Sequence, residues 1–484
     1  MSDTGEEEIR VTNTGTRMDN NQNVSVPDAY RVASKHYAAD RLDLAGDVCR
    51  KVLDAVPEHP RSLHLLGLVQ YKQGAFEEAH ELLGRATRGR PSVAHFHNDL
   101  GASLSALGRH AEALATYRQA ERLVDTSNTP TLINVQRNIA IALQHVGRID
   151  EAMEYHIRML RLAPGDVETI WNRSHIYLAH GHFLQGWAAY EARMDLKDRW
   201  KEFARHRKSR PFWDGLPFKG KKLLIWDEQG IGDMMQFIRF APLVKALGGT
   251  VVVEMRHRLI RLFSSADGFD EVISRREAAR RRSEFDLFIP MMSLPGVLEI
   301  RDHNLPARVP YLHAEPRRTA RWKERLAGDD KLKIGLVWSG NLDNKSMWHR
   351  SVKLAQLLPW LDVPGICLYS LQFGASQEEL AEVPENMELT HLGGEVAKFE
   401  ELAAATENMD LILTVDTAMA HLAGALGRPA WVMLAFPTDW RWRLEREDSP
   451  WYPTLRLFRQ EQTCEWEPVF KRVQVELRKL VESG

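Results

Sequence analysis

The spacing of apolar residues changes once along the chain, from a helical pattern to short apolar runs that alternate with helices. Up to about residue 193, apolar residues recur every three or four positions, as in LLGLVQYKQGAFEEAHELLGRA, where Gly74 separates two helices. Small residues and prolines also recur at a spacing of 34, in the pairs Pro57 and Pro91, Gly67 and Gly101, Ala79 and Ala113, Ala140 and Ser174, and Ala152 and Gly186. This pattern predicts a repeated pair of helices that pack closely where the small residues meet.

A 34-residue unit of paired helices with small contact residues is the signature of the tetratricopeptide repeat. We therefore predict about five such repeats in residues 27–193, stacked into an α-solenoid that binds an extended peptide or a protein. Two ordinary helical bundles are the alternative interpretation. The polar residues 1–26 predict a disordered tail.

The second half of the chain has the pattern of α/β structure. Residues 194–221 lose the repeat and become basic and rich in proline and glycine, which indicates a linker. Helices, the first from Met234 to Leu247, then alternate with apolar strands predicted at 223–226, 251–255, 285–290, 333–339, 366–372, 411–415 and 430–434. Because a proline-rich stretch interrupts this alternation, we predict two Rossmann-like α/β domains, residues 222–315 and residues 316–484. Ligands of such sheets bind at the carboxyl ends of the strands.

Composition narrows the classes of protein that fit. Among 484 residues, 64 Lys and Arg face 66 Asp and Glu, so no net positive charge attracts nucleic acid or an anionic membrane. The longest apolar stretch is broken by charged residues and predicts no membrane span. Three distant cysteines form no disulfide framework or metal-ligand pair, and the acidic first residues do not resemble a signal peptide. We therefore expect a soluble cytoplasmic protein.

The first candidate site is the sequence EQGIGD, Glu228 to Asp233, which follows a predicted strand and opens a helix. Gly230 and Gly232 allow the backbone to approach a ligand, and the free N–H groups of a helix start attract anions. Asp233 would stay ionised there and could act as a general base. A simple helix cap is the alternative role for Asp233, and the neighbouring Glu228 is the alternative base.

The second candidate site is TVDTAMAHLAGALG, residues 414–427, where a strand ends at Asp416 and Thr417 begins a helix of small residues. The Thr417 hydroxyl and the N–H groups of this helix start can hold a diphosphate without a metal. Asp416 and His421 could reach hydroxyls of a sugar or ribose. The alternative is a capped core helix in which His421 has an internal partner.

Two further segments carry polar groups beside strands or aromatic residues. Arg350 and Ser351 follow the strand end at Trp338–Asn341, where an arginine suits a phosphate or else lies on the surface. Residues 439–453 interleave tryptophans with arginines, which stack a base or a sugar or else pack in the core. The sequence contains no nucleotide-binding P-loop, zinc-protease or hydrolase motif, and its incomplete dinucleotide fingerprint argues against a dehydrogenase.

Three stretches together resemble a known family: WDEQGIGDMMQFIRFAPLV, SVKL…SLQ and TVDTAMAHLAGALGRPAWVMLAFPTDWRWRLEREDSPWYPTLRLFRQ. They are similar to bacterial tetratricopeptide-repeat glycosyltransferases, whose catalytic half resembles the lipopolysaccharide heptosyltransferases and which include flagellin glycosyltransferases. The resemblance covers roughly residues 28–475. It implies a transferase of the GT-B fold that uses a nucleotide-activated sugar with inversion, and without a metal or other cofactor.

The resemblance also implies roles for individual residues. Residues 222–315 would form the acceptor side, with Asp233 as the catalytic base, and residues 316–484 the donor side. The donor-binding residues that it implies are Gly232, Asn341, Arg350, Ser351, Gln372, Asp416, Thr417, Ala418 and His421. The loop GNLDNKSMWHRS departs from the family, because Leu342, Asn344 and Met347 replace its Pro, His and Asp. The identity of the donor therefore does not carry over.

The repeats and the resemblance together predict a protein glycosyltransferase that modifies Ser or Thr of an acceptor protein recruited by the repeats. Flagellin is the expected acceptor, by analogy of architecture alone. A non-catalytic adaptor that retains the transferase fold is one alternative, and a transferase that acts on a cell-surface saccharide is another.

Overall fold

The computed structural model describes residues 8–12, 21–197, 211–328, 331–341, 349–385, 387–463 and 465–483. Their contacts divide the chain into two compact units, residues 1–169 and residues 170–484. Within the predicted linker, residues 198–210 lie outside the described residues. The altered loop positions Leu342, Asn344 and Met347 lie outside them as well.

The first unit is a series of helices in which each packs against the next along the chain. The helices are α1 Val26–Ala38, α2 Leu42–Ala55, α3 Pro60–Gln73, α4 Phe76–Gly89, α5 Ala94–Ala106, α6 His110–Leu123, α7 Thr129–His145 and α8 Ile149–Leu162, and α9 Val167–His180 begins at its end. A β-carbon on Gly67 would lie 2.7 Å from Leu83 Cγ, and one on Gly101 would lie 2.6 Å from Tyr117 Cε1. The recurring glycine is therefore the point where the two helices of a repeat touch.

The structure differs from the expected disordered tail at two short segments. Strand β1 (Glu8–Thr12) pairs antiparallel with β2 (Asn21–Ser25), with Ile9 opposite Val24. The alternation EIRVT provides every second position with an apolar side chain, which is a strand pattern too short to outweigh the polar composition of residues 1–26. The remaining tail residues, 1–7 and 13–20, lie outside the described part of the chain.

The second unit contains two parallel sheets. The four-stranded sheet has the order β5-β4-β3-β6, with β3 Lys222–Trp226, β4 Thr250–Met255, β5 Glu271–Ser274 and β6 Leu287–Pro290. The six-stranded sheet has the order β12-β11-β10-β7-β8-β9, with β7 Leu332–Val337, β8 Ile366–Ser370, β9 Leu389–His391, β10 Leu411–Val415, β11 Ala430–Leu434 and β12 Leu455–Arg459. The predicted fold class, helical repeats followed by two parallel α/β sheets of the GT-B kind, is confirmed.

Helices cover these sheets and continue the repeat region into the second unit. They are α10 Phe183–Tyr190, α11 Ile231–Phe237, α12 Ala241–Ala246, α13 Ile260–Phe263, α14 Arg275–Arg280, α15 Leu294–Val297, α16 Pro316–Arg325, α17 Leu354–Leu357, α18 Phe399–Thr406, α19 Ala418–Ala425 and α20 Glu467–Ser483. The single helix predicted from Met234 to Leu247 is wrong, because a 3₁₀ segment at Ile238–Phe240 separates α11 from α12. Pro242 lacks the N–H that a continuous helix would need there.

Candidate functional site

The first candidate segment lies where β3 gives way to α11. Gly230 is the residue that precedes the helix, and its N–H donates to Asp233 Oδ2 at 2.7 Å. The capping role that the sequence left open for Asp233 is therefore real. The second oxygen, Oδ1, accepts a hydrogen bond from Arg441, which follows strand β11 of the six-stranded sheet. The Asp233 side chain remains 18% exposed.

Glu228, the alternative base, is placed differently. Its side chain is 0% exposed, and both of its oxygens accept hydrogen bonds from Arg193, Oε2 from Nε at 2.9 Å and Oε1 from Nη2 at 2.7 Å. Oε1 also accepts the N–H of Met292 at 3.0 Å. Burial raises the pKa of Glu228, and the guanidinium of Arg193 opposes that shift. Glu228 holds the turn from inside, and Asp233 is the partly exposed carboxylate of this segment.

The second candidate segment lies at the end of β10. Thr417 precedes α19, and its hydroxyl accepts the N–H of Met419 at 3.2 Å. Thr417 and Ala418 are both partly exposed, so the start of α19 is open to a ligand. Asp416, just before them, is buried and accepts a hydrogen bond from Arg350 Nη1 at 3.0 Å.

Five charged side chains connect these two segments, and we call them the charge chain. Asp233 pairs with Arg441, whose Nη1 donates to Asp439 Oδ1 at 2.9 Å. The other Asp439 oxygen lies 3.5 Å from Arg350 Nη2, and Arg350 in turn pairs with Asp416. The charge chain thus joins the end of β3 in one sheet to the end of β10 in the other.

The pKa values of Asp416 and Asp439 in the charge chain are shifted in opposite directions. Burial raises the pKa of Asp416, and Arg350 only partly opposes this effect. Burial also acts on Asp439, but Arg441 and Arg350 outweigh it and hold the pKa of Asp439 well below its usual range. Asp439 is therefore a fixed anion between two arginines.

His421 and Gly232 meet where α19 contacts α11. A β-carbon on Gly232 would lie 2.6 Å from His421 Cδ2, so the glycine is required for this close approach. The His421 ring stacks on Trp442 with centroids 5.4 Å apart, and Nδ1 lies 2.9 Å from the Tyr452 hydroxyl. Burial, with help from Arg441, lowers the pKa of His421 to about 3, which keeps the ring neutral. The structure favours the internal partner over a sugar hydroxyl for this histidine.

The remaining predicted donor residues lie at the ends of β7 and β8. Gln372 is buried, and its Oε1 accepts the N–H groups of Trp338 at 3.2 Å and Ser339 at 3.1 Å. Ser351 Oγ lies 3.2 Å from Ser339 Oγ and accepts the N–H of Gly340 at 3.3 Å. Gln372 and Ser351 thus brace this sheet edge, and Asn341 is exposed beside it.

The sequence-based list of site residues lacked Asp439 and Arg441. Both lie in the segment where aromatic and arginine residues alternate, which suggested stacking on a base or sugar. Trp440, Trp442 and Trp451 of that segment are buried, so they pack in the core instead. The guanidinium of Arg441 lies 4.3 Å from the Trp440 ring centroid and is held there by this contact and by Gln236 Oε1 at 2.8 Å. The available signal was an Asp and an Arg two residues apart after a strand.

Two properties of the described residues concern metals and membranes. Within the described ranges, no three His, Cys, Asp or Glu side chains come together as metal ligands. Among the helices of the same ranges, none has the length and apolar character that crossing a membrane requires.

The fold and the site define a class: helical repeats followed by two parallel α/β sheets of the GT-B kind, with polar residues at the strand ends. Residues 64–128 match the tetratricopeptide repeat, and residues 304–464 match glycosyltransferase family 9 (heptosyltransferase). Protein FlbA of Caulobacter vibrioides is 30% identical over 438 residues, which cover 84% of this chain and 70% of that protein. The chain therefore belongs to the family of tetratricopeptide-repeat proteins with a glycosyltransferase family 9 domain that includes FlbA.

Other similarities are more limited. The peroxisomal targeting signal receptor of Eremothecium gossypii is 29% identical over 113 residues, 23% of this chain and 19% of that protein. The solved structure of Pseudomonas aeruginosa pilF covers 34% of this chain and 74% of its own, with 17% identity and a TM-score of 0.32. The family 9 match supports glycosyltransferase activity, and it contains every predicted donor residue except Gly232.

Proposed function

We propose that this protein transfers a sugar from a nucleotide-activated donor to a Ser or Thr hydroxyl of an acceptor protein, in the cytoplasm. The charge chain is the observation that carries the proposal. It connects Asp233, beside one sheet, to Arg350 and Asp416 beside the other. A base on one side and a phosphate-binding cation on the other are the two groups that glycosyl transfer needs.

The reaction proceeds by a single displacement. The acceptor hydroxyl oxygen attacks the anomeric carbon from the face opposite the nucleotide, and Asp233 takes the hydroxyl proton. The bond between the anomeric carbon and the phosphate oxygen breaks, and the nucleotide leaves with the electron pair. One new glycosidic bond and one free nucleotide result, with inversion at the anomeric carbon.

The leaving phosphate is stabilised by the donor side without a metal. Thr417 caps an eight-residue helix that begins at Ala418, and the first N–H groups of such a helix attract an anion to its start. Arg350 lies next to this helix through its contact with Asp416. Its guanidinium can exchange a carboxylate for a phosphate oxygen, since both accept the same pair of N–H donors.

The acceptor is a protein because the chain carries a long helical repeat region ahead of the transferase. Stacked repeats of this kind form extended surfaces for peptides and proteins. We propose flagellin as the acceptor, modified before export, on the analogy of architecture stated above.

The test is the intact mass of flagellin co-expressed with the native sugar pathway and with wild-type protein or Asp233→Asn. Wild type is expected to add a discrete mass. Asp233→Asn is expected to lose about 10²–10⁴-fold in rate, because the general base is gone. Asp448→Asn is the matched control, since Asp448 is an exposed aspartate that also pairs with an arginine, and it should transfer normally. Equal transfer by wild type and Asp233→Asn would show that Asp233 is not the base.

The adaptor alternative predicts a different result in the same experiment. It rests on Leu342, Asn344 and Met347, which replace residues usual in the family. If the protein is an adaptor, flagellin should co-purify with it. The mass of that flagellin should then stay unchanged even when the wild-type protein is co-expressed. If flagellin neither co-purifies nor gains mass, flagellin is not the acceptor.

A further inference from the structure

The last helix of the repeat region packs inside the second unit. Trp187 of α10 donates its Nε1–H to the Ile300 carbonyl at 3.1 Å, and its ring lies 6.2 Å from Phe237 of α11. The short 3₁₀ segment Glu191–Asp195 follows α10 directly and contains Arg193, which is 0% exposed. By sequence this segment completes a repeat, but its contacts are with the transferase sheets.

Arg193 holds the turn between β3 and α11, which precedes Asp233. Its fork binds both Glu228 oxygens, and Nη2 also donates to Ser293 Oγ at 2.7 Å. Nη1 donates to Glu191 Oε1 at 2.7 Å and to the Tyr190 carbonyl at 3.3 Å. A planar fork with all of its N–H groups in use fixes the position of Glu228 in more than one direction.

A second contact reaches the next residue of the same turn. The Tyr190 hydroxyl lies 3.2 Å from Gln229 Nε2 and 3.3 Å from Gln229 Oε1. Gln229 has a φ of 60°, an unfavourable backbone conformation for a residue with a side chain, so the surroundings must hold it. Tyr190 and Arg193 therefore secure two consecutive residues just before Gly230.

The same helix also supports the other end of the pair between Asp233 and Arg441. Trp440 packs edge-on against Trp187 at 5.5 Å and against Tyr190 at 6.1 Å. The guanidinium of Arg441 lies over the Trp440 ring. One helix and the segment after it thus contact the supports of both Asp233 and Arg441.

We propose that α10 and residues 191–195 form a positioning element of the catalytic site, with Arg193 as its central positioning residue. The element acts through Glu228 and Gln229, which set where α11 begins and so where Asp233 lies. This inference rests on the proposed function for its catalytic consequence, but the positioning of the turn can be measured separately.

The test compares full-length wild type with the double variant Arg193→Met, Glu228→Gln. The double variant removes both charges together, so no unpaired charge is left in the interior. The control is Arg325→Met, Glu395→Gln, which removes an exposed Arg–Glu pair outside the repeats and the charge chain. The measurements are the thermal midpoint, hydrogen exchange of the amides of residues 227–237, and the fraction of flagellin modified at a fixed time.

If Arg193 positions the turn, the double variant keeps its thermal midpoint while exchange at residues 227–237 becomes at least several-fold faster. Transfer then falls about tenfold to a hundredfold, as expected for a misplacement of about 1 Å. The single variant Arg193→Lys keeps the positive charge but loses the planar fork, so it should also show faster exchange at residues 227–237 and slower transfer than wild type. Unchanged exchange at residues 227–237 in the double variant overturns the proposal. Wild-type exchange and wild-type transfer in Arg193→Lys overturn it as well.

Two further outcomes also decide the question. If the double variant does not fold, Tyr190→Phe provides the test, since it removes only the hydroxyl that contacts Gln229. Faster exchange at residues 227–237 in Tyr190→Phe supports the proposal, and unchanged exchange refutes it. If wild type modifies no flagellin, the proposed function fails, while the exchange measurement still decides whether this element positions the turn.

Discussion

The contact between Gly232 and His421 yields the sharpest prediction of the structure. In Gly232→Ala the new β-carbon would lie 2.6 Å from His421 Cδ2 and 3.3 Å from Nε2. The histidine cannot turn away easily, because its ring is stacked on Trp442 and its Nδ1 lies 2.9 Å from the Tyr452 hydroxyl. We therefore expect α11 and α19 to move apart, and Asp233, the next residue, to move with α11.

The magnitude follows from two opposing effects. Forcing an extra methyl group into a packed contact costs about 1–3 kcal/mol in free energy of unfolding. Alanine in place of glycine in a helix returns about 0.5–1 kcal/mol. The net loss is on the order of 1–2 kcal/mol, or a few degrees in thermal midpoint. The rate of transfer should fall much further, about tenfold to a hundredfold, since the base is displaced relative to the donor.

The assay measures thermal unfolding and flagellin modification for Gly232→Ala and for a control, Gly394→Ala. A β-carbon on Gly394 would meet no atom within 4 Å, so this control should change neither property. The steric reasoning is tested in a second background, His421→Ala, where the space beside Gly232 is vacated. Adding Gly232→Ala there should have little effect, because the clash is gone. An equal loss in both backgrounds would refute the reasoning.

Two other predictions concern a buried histidine and the repeat contacts. Because the pKa of His421 falls from 6.5 to about 3 on folding, the unfolded chain takes up a proton below pH 6.5 that the folded chain does not, so stability is lost as the pH falls through this range. At pH 5 the free energy of unfolding is lower by about 2 kcal/mol because of this one group. The thermal midpoint of His421→Phe should therefore drop less than that of wild type between pH 7.5 and 5. An equal drop in both proteins contradicts this assignment. In the repeats, Gly67→Ala should lower hydrogen-exchange protection of α3 and α4, since its β-carbon would lie 2.7 Å from the buried Leu83 Cγ. In Gly84→Ala the β-carbon would meet only Arg88, at 3.5 Å, so hydrogen-exchange protection of these helices should rise by about 0.5–1 kcal/mol. A gain of protection in both variants would contradict the close contact between the helices.

The fold could be predicted because its signals are local and repeated. Each helix pair repeats the same small residue at the same contact, so Gly67 and Gly101 independently report one geometry. The strands that the sequence missed give weaker signals. In the α/β half these are β5, β9 and β12, which all lie at sheet edges. Strand β9 has three residues, β5 is half-buried, and arginines interrupt the apolar residues of β12, so none shows the continuous apolar run of a central parallel strand.

The site was predictable only in part, because its partners are distant in sequence. Asp233 and Arg441 are separated by 208 positions, and nothing near either residue indicates the pairing. Sequence reasoning favoured Asp233 as the base but left Glu228 open as the alternative, since both are carboxylates in one short turn. Only the position of Arg193, 35 residues before Glu228, shows that one carboxylate is enclosed and the other faces outward.

The charge chain suggests a division of roles between its two arginines. It contains three carboxylates and two guanidinium groups, so the phosphate of the proposed donor needs a cation that can leave its carboxylate. Arg441 is fixed by Asp233, Asp439 and Gln236 and by the Trp440 ring beneath it. Among the residues that the structure describes, Arg350 pairs with Asp439 at the longer distance of 3.5 Å and with Asp416 at 3.0 Å, and burial raises the pKa of Asp416. Because a carboxylate that protonates more readily releases its cation more readily, we assign the proposed phosphate contact to Arg350 and the placement of Asp233 to Arg441.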